Sequence, residues 1–181
     1  MLTFDEAMVL TRAISSPTAF EDEECRAYFD TLMSLPTDSL IVEVGLEYGR
    51  SSSIALQVAG VQGYRYLGID VDVKPEWFDM SYKINPRSWI RVHVGRSSDA
   101  GLGDIGDITA ILIDGDHSYE GVLADCEHFL PHVVKGGYLM AHDYHRESLP
   151  DVTCAIDGYL LLHPEWTPVG LYGTLGIWRR M

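Results

Sequence analysis

The sequence predicts a doubly wound α/β sheet of about seven strands, mostly parallel, closing on an antiparallel C-terminal hairpin. Three observations predict it. Short, near-continuous apolar runs alternate with helical stretches between residues 40 and 142, the pattern of strands covered on both faces. The last two strand-like runs are joined by Tyr172-Gly173 alone, too short for a parallel crossover. Small, acidic and histidine residues gather directly after the apolar runs, where an open parallel sheet takes its ligands.

In chain order, Phe4 to Ile14 and Glu21 to Met33 read as two helices ahead of the sheet. Leu40-Ile-Val-Glu-Val44 is the first strand, and Ser51 to Ala59 is a helix of small residues after it. Tyr64 to Asp70, Trp89 to Val94 and Ile108 to Ile113 are the second, third and fourth strands; Gly137 to His142 is the fifth. Between the fourth and fifth, Tyr119 to Val133 has helical spacing and stops at Lys135-Gly136-Gly137. A helix over 152–162 precedes the hairpin of Trp166 to Leu171 and Thr174 to Arg179. Five β-α units therefore close on a hairpin. Two segments are candidates for a ligand wall: the Tyr144 to Val152 connection, and Val71 to Ser88. The second carries Trp77, Phe78, Met80 and Tyr82 and reads as a long loop, either a lid or a satellite core. No linker or repeat divides the chain, which predicts one domain over 1–181: N-terminal helices at 1–36 and a Rossmann-like core at 37–181.

A chain of 181 residues suits one domain, and its 13 Lys and Arg against 27 Asp and Glu leave a formal charge of −14. Nucleic-acid binding depends on cations that displace counterions from phosphates, so this surplus has the wrong sign. No Lys or Arg stands between Ser97 and Val134, so no basic stripe hides in the total. Nucleic acid and anionic membranes are thereby disfavoured as partners. Cys25, Cys126 and Cys154 are too scattered for a disulfide framework or a zinc motif and suit a reducing compartment. The N-terminus lacks the pattern of a signal peptide, and no apolar run approaches the ~20 residues that cross a bilayer. A cytoplasmic location is expected. Domains of this kind often pair through symmetric patches, but no stripe in the sequence marks one, and a homodimer stays open.

The strand ends carry the chemistry. After the first strand comes Glu43-Val-Gly45-Leu-Glu-Tyr-Gly49-Arg-Ser51, spaced GxxxG rather than the GxGxxG of a pyrophosphate cradle. By itself it is equally a tight strand-to-helix turn. After the second stands Asp70, a carboxylate able to accept both hydroxyls of a ribose, or a helix cap. After the third comes Gly95-Arg-Ser97-Ser98-Asp99. After the fourth and fifth come Asp114-Gly115-Asp116-His117-Ser118-Tyr119 and His142-Asp143-Tyr144; two histidines and three acids converging on one cleft mark a site. Asp116 reads either as a carboxylate orienting His117 or as the cap of the next helix.

These segments resemble the class I S-adenosylmethionine-dependent methyltransferases. Within them the likeness is to small O-methyltransferases related to the catechol and caffeoyl-CoA enzymes, nearest the bacterial macrocin and cephalosporin-biosynthesis branch. It rests on Glu43 to Ser52, Ile113 to Gly121 and Gly136 to Tyr144, in that order. The resemblance implies that Glu43, Gly45, Gly49 and Ser51 hold the methionine part of the cofactor, Asp70 the ribose, and Ser97 and Ser98 the adenine, with Asp114 beside them. It further implies a divalent cation on Asp114, His142 and Asp143. An imidazole among those ligands suits manganese, iron or zinc better than magnesium. His117 occupies the position of the related enzymes' catalytic lysine. Without a metal, His117 or His142 is the expected base, its pKa naturally near neutrality.

The expected function is methyl transfer from S-adenosylmethionine to a small-molecule acceptor, at a hydroxyl oxygen. Two alternatives stand beside it. One is a non-catalytic relative that keeps only cofactor binding. The other is a nicotinamide-dependent oxidoreductase, against which the absent GxGxxG and the final hairpin count.

Overall fold

The structure is a computed structural model that describes residues 2–14, 20–84, 89–101 and 106–181. Seven strands form one sheet: β1 (Leu40–Val44), β2 (Arg65–Asp70), β3 (Ile90–Val94), β4 (Ile108–Ile113), β5 (Val133–Ala141), β6 (Trp166–Tyr172) and β7 (Leu175–Arg180). Their order is β3-β2-β1-β4-β5-β7-β6. β1 to β5 run parallel, and β7 lies antiparallel between β5 and β6. The expected fold class is the one found.

Strand alternation divides the core in two. Ile41, Ala110, Leu112 and Met140 face α1 (Phe4–Thr11), α2 (Asp22–Met33), α3 (Arg50–Gln62) and α4 (Pro75–Ile84). Leu40, Val42, Val44, Ile111, Ile113, Leu139 and Ala141 face α5 (Tyr119–Phe129) and α6 (Pro150–Leu162). The helices begin at side-chain caps where the sequence provides them. Thr3 and Glu6 form a capping box on α1, and the Ser118 hydroxyl accepts the Gly121 N–H on α5. No described helix is long and apolar enough to cross a membrane.

Three expectations need correction. The 71–88 segment is not a loop: Pro75–Ile84 form α4, and residues 85–88 lie outside the described ones. Pro75 suits the first helical position. Trp77, Met80, Ser81 and Ile84 make the inward i, i+3, i+4, i+7 stripe, with Trp77 wholly buried and stacked near Tyr66. Phe78 and Tyr82 point outward and disguise that stripe in the sequence. Second, β3 leads into a short 3₁₀ turn, Ser97–Asp99, with no α-helix before β4 among the described residues. The described residues hold four β-α units rather than five. Third, the helix expected to reach Val133 stops at Phe129, because Pro131 in the following 3₁₀ turn has no N–H to continue it, and β5 starts early at Val133.

Strand order reverses between β1 and β4, where a doubly wound sheet opens a crevice. The parallel ladder runs on past the strands: Gly45 N donates to Ile69 O, Asp114 N to Val44 O and His142 N to Ile113 O. The loops after β1, β2, β4 and β5 therefore start level with one another.

Candidate active site

A cavity of about 1170 Å³ opens at these carboxyl ends. Its floor exists because Gly45 is a glycine. At φ +88° the residue sits in the left-handed region, and a Cβ there would fall 2.0 Å from the Asp114 carbonyl oxygen. Gly49 serves a different purpose: its missing Cβ leaves room for Met80 and Trp77 of α4, not for a ligand.

Asp70 shapes the loop after β1. Its Oδ2 accepts the Leu46 N–H (2.7 Å) and the Glu47 N–H (3.2 Å), and its Oδ1 accepts the Asp72 N–H (2.9 Å). The carboxylate lines the cavity beside Val71 and Asp72.

Glu43 lies elsewhere than the resemblance implied. It is completely buried beneath the loop and does not line the cavity. The Ser51 and Ser52 hydroxyls donate to its Oε1 at 2.5 and 3.0 Å, and the Tyr66 hydroxyl donates to Oε2. Burial pushes its carboxyl up to about 7, an effect these hydroxyls only partly offset. Glu43 pins the first turn of α3 to β1. Ser51 still borders the cavity, with its hydroxyl turned down toward Glu43.

On the β3 side, Ser97 and Ser98 border the cavity, and the Ser97 hydroxyl donates to Asp125 of α5. On the β4–β5 side, Asp114, His117 and Asp143 converge. His117 Nε2 is 3.1 Å from Asp143 Oδ2 and 3.8 Å from Asp114 Oδ1. Asp143 sits at φ +57°, a left-handed conformation that aspartate tolerates, and Arg146 Nη1 donates to its Oδ1 at 2.6 Å. Burial opposes the charge on Asp143, but His117 and Arg146 outweigh it and bring the carboxyl down to about 2. Asp114 and Asp143 in turn push the His117 imidazole up to about 9. His117 is thus a cation at neutral pH, not the near-neutral base expected from its type. Asp116 caps: its Oδ1 accepts the Ser118 N–H at 2.8 Å.

His142 is the main departure from expectation. Its ring is 4% exposed and does not line the cavity. Nδ1 faces Asp114 Oδ1 at 3.1 Å, Nε2 faces Glu24 Oε2 at 3.4 Å, and Phe20 stacks on the ring at 4.4 Å. Burial opposes its charge, but Asp114 and Glu24 prevail and raise it to about 10. Both nitrogens are engaged, and of the two histidines only His117 borders the cavity. Donor atoms of Asp114, His117 and Asp143 lie within 4.8 Å of one another, a set of two carboxylates and one imidazole that fits manganese, iron or zinc.

Four residues of this region escaped the sequence reading: Phe20, Glu24, Asp125 and Arg146. Glu24 and Phe20 belong to the N-terminal segments, where no local pattern points to a distant strand end. Asp125 was hidden in a helix, although its place one turn after Gly121 puts both on the cleft side of α5.

A β3-β2-β1-β4-β5-β7-β6 sheet with β7 antiparallel, holding a glycine-floored cleft without a phosphate fingerprint, defines the Rossmann-like fold of methyltransferases. Residues 42–144, more than half of the chain, match the family described as a methyltransferase domain, and the chain belongs to that family of enzymes. No curated protein matches the sequence. Among solved structures, CalS11, a TDP-rhamnose 3'-O-methyltransferase of calicheamicin biosynthesis, is similar at 15% identity and TM-score 0.67, over 95% of this chain and 79% of that one. The O-methyltransferase NovP is similar at 17% identity and TM-score 0.65, over 86% and 78%. An rRNA methylase from Streptococcus thermophilus is similar at 13% identity and TM-score 0.63, over 90% and 99%. At these identities the likeness is one of fold.

Proposed function

We propose that the protein transfers the methyl group of S-adenosylmethionine to a hydroxyl oxygen of a small-molecule acceptor in the cytoplasm. The observation that carries this reading is the order of groups around one cavity: the Gly45 loop, Asp70, Ser97, then Asp114, His117 and Asp143. That order offers a nucleoside surface on the β2–β3 side and ionisable groups on the β4–β5 side. The antiparallel β7 and the family match count against the nicotinamide alternative, and the intact acid–histidine cluster counts against a non-catalytic relative.

Transfer is an in-line displacement at the sulfonium carbon, in which the protein chiefly aligns nucleophile and methyl group. The acceptor hydroxyl must lose its proton as the new bond forms. His117 borders the cavity and is the group we assign to receive it, once its own proton has been given up. A divalent cation on Asp114, His117 and Asp143 would lower the hydroxyl's pKa instead. An rRNA acceptor is disfavoured by the charge of −14, which repels a polyanion.

The test is calorimetric titration of S-adenosylhomocysteine into metal-stripped protein. Saturable binding near micromolar, about −8 kcal/mol, is expected. No binding, with or without added manganese, overturns the reading.

A further inference from the structure

We propose that Asp125 reads the adenine of the cofactor: its Oδ2 accepts the exocyclic amine, and Ser97 holds the carboxylate in place. The proposal rests on the S-adenosylmethionine reading above and assigns a base-specificity residue to it.

Asp125 lies in α5 (Tyr119–Phe129), is 2% exposed, and yet borders the cavity together with Gly121 and Ala124 of the same helix. Its Oδ1 accepts the Ser97 hydroxyl. Its Oδ2 accepts no hydrogen bond from the described residues and lies 3.8 Å from where a Cβ on Gly115 would stand. Gly115 thus places no side chain beside that oxygen. A carboxylate serving only to staple α5 to the loop after β3 needs one oxygen for that bond, which leaves Oδ2 facing the cavity as a free acceptor. Burial does push the Asp125 carboxyl up, to about 6, although Ser97 works against the shift. A donor bound at Oδ2 would favour the ionised form that burial disfavours.

The chemistry of the donor follows from the acceptor. An ionised carboxylate accepts only, so it selects a base edge that donates, which adenine's amine does and the 6-oxo group of hypoxanthine does not. The position agrees: Asp125 is tied to Ser97 after β3, on the side of the cavity we assign to the nucleoside. The Ser97 proton is committed to Asp125, so Ser97 is a positioning residue and Asp125 the contact. Sequence reasoning expected the serine itself to meet the base.

The experiment is calorimetric binding of S-adenosylhomocysteine and of its inosine analogue, S-inosylhomocysteine, to the wild-type protein and to Asp125→Ala, Asp125→Asn and Ser97→Ala. The wild type is expected to prefer the adenine compound. Asp125→Ala should lose roughly 10–100-fold in affinity for the adenine compound, the usual range for a hydrogen bond to a charged group, and far less for the inosine one. In Asp125→Asn the amide oxygen stays with Ser97 and the amine faces the cavity, where it donates to a 6-oxo group, so the preference should narrow or invert. Ser97→Ala should weaken adenine binding less than Asp125→Ala does. A structural role alone would not change the ratio between the two ligands. Wild-type binding with an unchanged ratio in Asp125→Asn overturns the proposal while the cofactor reading stands, and this variant decides should Asp125→Ala not fold. Failure of the wild type to bind either compound overturns both.

Discussion

Glu24 and His142 meet inside the protein, carboxylate Oε2 to imidazole Nε2 at 3.4 Å, and join the N-terminal α2 to the end of β5. Glu24 also accepts the Glu21 N–H at 2.6 Å and, through Oε1, the Thr174 N–H and hydroxyl at 2.7 and 2.9 Å. Burial works against its charge, but His142 and these N–H donors outweigh it and bring its carboxyl down to about 2. One side chain thus binds α2, the β6–β7 turn and the active-site strand end.

Removing it deprives the buried imidazolium of its Nε2 partner and leaves three donors unpaired. Glu24→Ala should destabilise the fold by roughly 3–5 kcal/mol, the range for breaking a buried charge pair, and Glu24→Gln by less. Urea unfolding of both variants measures this. A loss below about 1 kcal/mol for the alanine would make the contact incidental.

Glu43 predicts a pH dependence. Its carboxyl is raised on folding, so its stabilising share is complete below the ordinary value near 4.5 and is lost as pH rises through about 7. Glu43→Gln removes that loss. The variant should gain on the wild type between pH 5 and pH 8, as read from unfolding free energies at the two values. An equal difference at both would show that Glu43 titrates normally.

Asp70→Ala removes a carboxylate that both shapes the Leu46–Glu47 turn and lines the cavity. Affinity for S-adenosylhomocysteine should fall by about 1–3 kcal/mol. Asp70→Asn keeps one acceptor oxygen and should fall less. Calorimetry that found the alanine variant unaffected would remove Asp70 from ligand binding.

Manganese should bind the wild type saturably and release protons on binding, because His117 is a cation at neutral pH and must be neutral to ligate. His117→Ala and Asp143→Ala should abolish most of this binding, while His142→Gln, altering a ring turned away from the cavity, should retain it. Titrations in buffers of different ionisation enthalpy count the protons. Binding without release would exclude His117 from the ligand set.

What the sequence disclosed depended on how locally each feature is encoded. β1 and β4 were legible to the residue, because Leu40–Val44 and Ile108–Ile113 are apolar but for Glu43 and Thr109 and are buried on both faces. α4 was not, since Phe78 and Tyr82 on its outer side mask the inward stripe. The strand-end acids and histidines were legible as a cluster because topology fixes where they gather. Which histidine faces the cavity was not. In hindsight, strand alternation continues Tyr138 and Met140 onto His142, placing it on the α2 face. That period says nothing of Glu24, whose partnership arises only when α2 packs there. Asp125 shows the same limit, because its meaning depends on Ser97 from another loop.

β3 bonds to a single neighbour, β2, and its residues are only half-buried or exposed. Backbone hydrogens there are guarded by few apolar contacts, so Ile90–Val94 should trade protons with solvent well before the interior strands, through local opening rather than global unfolding. The strand runs into Gly95, whose N–H donates to the Asp70 carbonyl, and on to Ser97. A nucleoside held between Asp70 and Asp125 would close that seam. This edge strand would then slow its exchange on binding and act as a built-in gauge of cofactor occupancy.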